Sequence, residues 1–350
     1  MAERILIIRT SSLGDVVLAS SILGTLKAQR PYSEIHLLVK SDYAELYEDD
    51  PRLTGLIRLE PSIHSGIRGL CRLLRCVRRM DFDLLIDLQG NFRSFTMRAF
   101  GGAAKKLRAP KRRWLRSAMV HLRRRPTNPE RALDLYFKPL RQIGVSWVSN
   151  HPSLFLDPRL HEQMARLLAQ GGISPNDLVV GINPGARWET KRWTTEGFAE
   201  VVDRLSKTFH AKILMLGNRE DLGFVTHILR VMKARPVVMT GELSLRELVA
   251  AIDRCDLLLT NDSGPMHIAA ARDVPVVAIF GPTHPDLGFA PSGEHDIVLT
   301  ADLPCSPCSL HGEKLCRRDR RYCMEEITAD QVFDQIQGLL REPRVRGRGL

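Results

Sequence analysis

Short apolar runs recur along this 350-residue chain with amphipathic stretches between them, and that alternation restricts the fold more than any other feature. The runs are ILII near residue 5, IHLLV near 35, LIRL near 56 and DLLIDL near 83, then VVGI near 179, KILML near 212, PVVM near 236, CDLLLT near 255 and PVVAIF near 275. Such unbroken runs suit strands buried on both faces, and helical stretches of about 10–16 residues between them supply the covers. The expected architecture is therefore α/β, with doubly wound parallel sheets. A chain this long suggests two domains of about 150 residues each. The break GVSWVSNHPSLFLDP at 144–158 places their boundary, giving domains 1–150 and 151–340 and a tail 341–350 (REPRVRGRGL) expected to be disordered. Ligands of doubly wound sheets sit beyond the carboxyl ends of the strands, so the loops after ILIIR, VVGI, ILML and LLLT are expected to face a shared cleft.

Composition removes several classes. No run of 18 or more apolar residues occurs, and MAERILIIRT sets Glu3, Arg4 and Arg9 around too short a stretch for a signal peptide, so a cytoplasmic protein is expected. Seven cysteines in a chain of this size do not make a secreted disulfide scaffold. The net charge of +11 resides in the first half: residues 1–150 hold 27 Lys/Arg against 14 Asp/Glu, and the remainder 24 against 26. Between Arg68 and Arg125 there are 17 basic and 3 acidic residues, a field suited to phosphates, anionic headgroups or a polyanionic substrate, or to a solvated face.

Three loops carry residues with chemistry to offer. In LLLTNDSGPMHIAAA (257–271) a strand opens into a helix that Asp262 or Ser263 is placed to cap, with Pro265 in its first turn. Gly264 lets a ligand approach the positive end of the helix dipole, where a diphosphate fits; an ordinary capped junction accounts for the same residues. The loop Arg9–Asp15 matches neither G-x-G-x-x-G nor the P-loop pattern. Its Asp15 is a helix cap or, facing a sugar donor, a base for an attacking hydroxyl. GINPGARWETKRW (181–193) puts Lys191 and Arg192 at a strand end, with Lys191 suited to a leaving diphosphate. In GNRED (217–221), Glu220 is a ribose ligand or a first-turn acid.

RILIIRTSSLGDVVLASSIL, DLLIDLQGNFRS, GINPGARWETKRW and LLLTNDSGPMHIAAARDVPVVAIFGPTHP occur in one order across nearly the whole chain. In this set the chain resembles the bacterial lipopolysaccharide heptosyltransferases of glycosyltransferase family 9. The resemblance implies a GT-B fold, two Rossmann-like domains facing a central cleft, the first binding acceptor and the second nucleotide-sugar. It also implies inverting transfer of heptose from ADP-heptose to the Kdo or heptose of the lipid A–Kdo inner core. By matching position Asp15 is the general base. Ser11, Ser12 and Gly14 are substrate-binding positions, Arg93 is an acceptor contact, and Lys191, Glu220, Asp262, Ser263, Gly264 and His267 lie around the donor, although His267 also reads as a packed helix residue. LIDLQGNFRS looks more like the enzymes that add the first heptose. None of these loops carries a D-x-D motif, so chemistry without an obligatory metal or other cofactor is expected. A monomer in peripheral contact with the inner membrane completes this reading.

Cys305, Cys308, Cys316 and Cys323 form C-x2-C-x7-C-x6-C, which reads as a structural zinc site, as two disulfides or as four free thiols. Cys71, Cys76 and Cys255 are scattered and read as packed. Two competing functions are weaker. A nucleic-acid-binding protein built on 105–125 has only Trp114 for stacking, and a nucleotide-binding oxidoreductase lacks its glycine fingerprint. Transfer of a different sugar to another surface glycan by the same fold is the remaining alternative.

Overall fold

In the computed structural model, which describes residues 2–123 and 125–342, contacts divide the chain into two units. The first comprises the chain up to Arg112 together with Glu130–Phe155; the second comprises Arg113–Pro129 and the chain from Leu156 onward. The segment 113–129, which lies within the first half of the sequence, thus belongs by its contacts to the second unit. Arg116 stacks over Phe289, and Arg125 bonds His284 and Asp302.

The first unit holds a parallel sheet of β1 (Arg4–Ile8), β2 (Glu34–Lys40), β3 (Gly55–Leu59), β4 (Leu84–Asp87) and β5 (Lys105–Arg108) in the order β3-β2-β1-β4-β5. The second sheet is β11-β10-β9-β6-β7-β8, again parallel, built from β6 (Val179–Asn183), β7 (Lys212–Met215), β8 (Val237–Val238), β9 (Leu257–Asn261), β10 (Val276–Phe280) and β11 (Ile297–Thr300). β1, β4, β6, β9 and β10 are aliphatic and almost wholly buried because helices cover both faces. β5 and β11 escape the apolar-run criterion: KKLR has one buried residue and IVLT none, as edge strands permit.

Each sheet reverses its winding once, between β1 and β4 and between β6 and β9, and the loops leaving those strands are where such sheets bind ligands. The helix Ala329–Arg341 extends one residue into the segment expected to be disordered; Arg124 and residues 343–350, with the rest of that expectation, lie outside the described residues.

Candidate active site

At the first reversal, register pairs Ile8 with Asp87, so the loops after β1 and β4 emerge side by side. The Gln89 side-chain carbonyl accepts the Thr10 and Ser11 N–H groups (2.8 and 3.2 Å) and fixes the first loop from the second. Asp87, fully buried, in turn accepts the N–H groups of Gln89 and Gly90. Ser12 is the N-cap of the helix Leu13–Gln29, in whose first turn Gly14 and Asp15 lie, and Asp15 reaches back to the Ser12 N–H (3.3 Å) and hydroxyl (3.0 Å). The capping role is therefore present, but it accounts for only part of the environment of Asp15. Its Oδ2 also lies 2.6 Å from Arg9 Nη2, and its Oδ1 accepts the Tyr136 hydroxyl at 2.6 Å. Burial alone would raise the Asp15 pKa, but Arg9, Tyr136 and Ser12 outweigh it and hold the carboxyl below its ordinary value. Arg9, whose Nη1 donates to the Leu88 carbonyl at 2.6 Å, stays protonated. Arg93, in the first turn of the helix Phe92–Phe100, donates to the His64 carbonyl at 3.2 Å.

At the second reversal, Asn183 pairs with Thr260, bringing together the loops after β6 and β9. Ser263 is the N-cap of the helix Gly264–Ala271, but neither expected cap forms. The Ser263 hydroxyl turns to Thr260 and Asn183, and Asp262 Oδ2 takes the Thr283 hydroxyl and the Lys191 ammonium, each at 2.6 Å. The first turn of this helix, with Pro265 in it, has no side-chain cap, which suits an anion. His267 is buried in the same helix.

Lys191 ends a tight turn, Glu189–Lys191, that is pinned from below. Trp193 is fully buried, its N–H meeting Asn261 Oδ1 at 3.0 Å and its indole N–H the Ile327 carbonyl at 2.9 Å. Arg192, expected beside Lys191, instead turns to the Ala186 carbonyl and Asp221. Asp221 is buried while Glu220, the expected ribose ligand, is exposed on the turn Arg219–Asp221. Burial lifts the Asp221 pKa, and the Asn218 N–H and Arg192 offset only part of that. Gly185 is required beneath it, because a Cβ there would lie 2.2 Å from an Asp221 oxygen.

The cysteine segment packs on the Lys191 turn. Thr190 and Glu313 exchange three hydrogen bonds of 2.7–3.3 Å, and Arg321 donates to the carbonyls of Glu189 and Arg192. Gly312, at φ +97°, lies so close that a Cβ would meet Trp188 Cβ at 2.7 Å and Lys191 Cδ at 2.9 Å. The expected zinc site is not shown: all four cysteines are free thiols, and among the described residues no group of three or more His, Cys, Asp or Glu is arranged to hold a metal ion. Burial, reinforced by the neighbouring thiols, raises the pKa of Cys308 and pushes Cys323 up to about 12. Cys255 is packed as expected, but Cys71 and Cys76 are exposed.

Arg9 and Gln89 stood inside motifs already singled out, but the signal for them was only their place beside a strand end. Tyr136, 121 residues from Asp15, gave none.

Comparison with known proteins adds independent findings. The model of glycosyltransferase family 9 (heptosyltransferase) matches residues 70–317, which include Lys191 and Asp262–His267. Lipopolysaccharide heptosyltransferase 2 of Salmonella typhimurium is 27% identical, covering 98% of this chain and 100% of that protein, and so spans the first loop as well. Lipopolysaccharide heptosyltransferase 3 of Escherichia coli is 25% identical over 77% of this chain and 81% of that protein. Among solved structures, a family 9 glycosyltransferase from Veillonella parvula superposes with a TM-score of 0.79 at 27% identity, covering 97% of each chain.

Proposed function

The chain belongs to glycosyltransferase family 9, the heptosyltransferases, and on that premise we propose how its residues share the work of moving heptose from ADP-heptose to the lipopolysaccharide core. It is a glycosyltransferase of the GT-B type. The acceptor is the inner core, a Kdo or heptose hydroxyl of the lipid A–Kdo molecule, and the protein works as a monomer at the cytoplasmic face of the inner membrane. Among the described residues no helix is long and apolar enough to cross a membrane.

The acceptor oxygen attacks the anomeric carbon from the face opposite ADP; its proton passes to Asp15 as the bond from that carbon to the diphosphate oxygen breaks, inverting the centre. The single observation that carries this assignment is the setting of Asp15: a carboxylate at a sheet reversal, kept ionised by Arg9, with Tyr136 on its other oxygen. Its depressed pKa makes it a weak base, suited to taking a proton from a hydroxyl already acidified by bond formation rather than from a free alcohol. The leaving charge is met by Lys191 and by the uncapped turn at Ser263 and Gly264, without a metal in the scheme. Asp262 holds Lys191 until the diphosphate competes for it, and Glu220 and His267 are assigned to ribose and to the sugar or phosphate.

Mass analysis of products from ADP-heptose and core acceptors of defined length tests this reading. Addition of one heptose to an inner-core acceptor is expected. Transfer only from a different nucleotide-sugar, or to no core acceptor, would overturn it.

A further inference from the structure

We infer that the outward face of the helices Gly66–Arg79 and Phe92–Phe100 docks on an anionic lipid bilayer. The sheet order places both helices on one side: β3 to β4 and β4 to β5 both progress in the same direction, and right-handed crossovers put their helices on the same face. One apolar cluster confirms it, since Leu73 and Val77 of the first helix and Met97 of the second pack with Leu6, Ile8 and Leu85. With those residues turned inward, the opposite sides stand in solvent.

What they present is unusual for a soluble surface. Ile67 is 81% exposed, Phe92 76% and Phe95 49%. Arg68, Arg72 and Arg75 are exposed on the first helix, and neither GIRGLCRLLRCVRR nor FRSFTMRAF contains an acid. An acidic protein would pair the arginines and gain little from the isoleucine and phenylalanines. A single-stranded nucleic acid would stack on the phenylalanines but has no use for Ile67. An interface of anionic headgroups over acyl chains uses both, with arginines at the phosphates and apolar tips below them.

The patch also borders the proposed acceptor position. Phe92 follows Gln89, which holds the Thr10–Ser11 backbone, by three residues, and Arg93 ties the start of its helix to the His64 carbonyl. A bilayer on this face would deliver a lipid-anchored acceptor beside Asp15. That last step rests on the acceptor proposed above; lipid binding itself does not.

The test uses the full chain in co-sedimentation with phosphatidylglycerol-containing vesicles and with pure phosphatidylcholine vesicles. Binding to the former only, weakened by 0.5 M salt, is expected, with at least tenfold weaker binding for F92S/F95S and for R68Q/R72Q/R75Q. Heptose transfer to a deacylated, soluble core should be unchanged in F92S/F95S while transfer to vesicle-embedded acceptor falls. Equal vesicle binding by wild type and variants, no vesicle binding by wild type, or capture of single-stranded DNA in preference to vesicles would overturn the inference. Vesicle binding without transfer to any acceptor would defeat the proposed acceptor and leave the docking face standing; transfer without vesicle binding would do the reverse.

Discussion

After β1, the charged groups are held within one network: Asp15 is gripped by Arg9, Tyr136 and Ser12, and Arg9 is anchored on the Leu88 carbonyl. After β9, Lys191 and Asp262 are paired with each other, over a helix start that no side chain caps. The first arrangement fixes Asp15 through its own partners, whereas the second has an internal pair that, on the proposed function, an incoming diphosphate would exchange. Preorganisation suits a group that must be aimed at one proton. Exchangeable pairing suits a site that binds and releases a highly charged nucleotide each turnover.

The largest expected effect separates the two directly. Asp15→Asn keeps an acceptor for Tyr136 and removes the base, so kcat should fall by about 10²–10⁴ with ADP affinity unchanged by calorimetry. Both variants leave the Arg9 side chain, only 9% exposed, without its counter-charge, and Asp15→Ala, which also removes every acceptor, should lose about 3–5 kcal/mol of stability in thermal or denaturant melts, more than Asp15→Asn. Undiminished turnover in Asp15→Asn would remove this residue as base.

Lys191→Ala should behave differently, weakening ADP binding as well as lowering kcat/KM by about 10²–10³, since Asp262 is left to repel the diphosphate. Unchanged ADP affinity would mean that the pair is only structural, and the contrast between the two turns would collapse.

Tyr136→Phe sharpens the contrast through pH. The Asp15 pKa is depressed, so both its contribution to stability and its competence as a base are present at neutral pH and are lost as pH falls through that low value. Removing the Tyr136 hydrogen bond should raise the pKa, moving the acid limb of kcat/KM to higher pH, with a loss of about tenfold or less at neutral pH. A limb that stays in place would show that Arg9 and Ser12 set the ionisation without Tyr136.

The smallest effect is expected at Gly312. Gly312→Ala forces a side chain against Trp188 and the Lys191 stem at a backbone φ of +97° that disfavours one, displacing the lysine. The KM for ADP-heptose should rise a few-fold while kcat changes less. Unaltered steady-state constants would mean that the cysteine segment does not position Lys191.

The fold was legible because parallel strands buried on both faces have to be written as uninterrupted aliphatic runs, and most of them were. β5 and β11 escaped because edge strands need no such run, and KKLR reads as a charge cluster. Asp15, Lys191 and the 262–264 turn could be singled out as candidates because they stand at strand ends next to helix starts, where a doubly wound sheet offers ligand sites. The cysteine spacing supplies the ligand count of a metal site, but the geometry that holds one depends on the loop, which is tied down by Thr190, Glu313 and Arg321, and among the described residues no metal-holding group is arranged there.

By itself the sequence determined most of the elements, their parallel character and the loops at the strand ends, since these follow from periodicity and local turn chemistry. Tertiary structure decided which of those groups meet. Tyr136 against Asp15, Arg192 turned to Asp221 rather than beside Lys191, and segment 113–129 joined to the second unit all arise from contacts far apart in the chain, for which no local pattern exists.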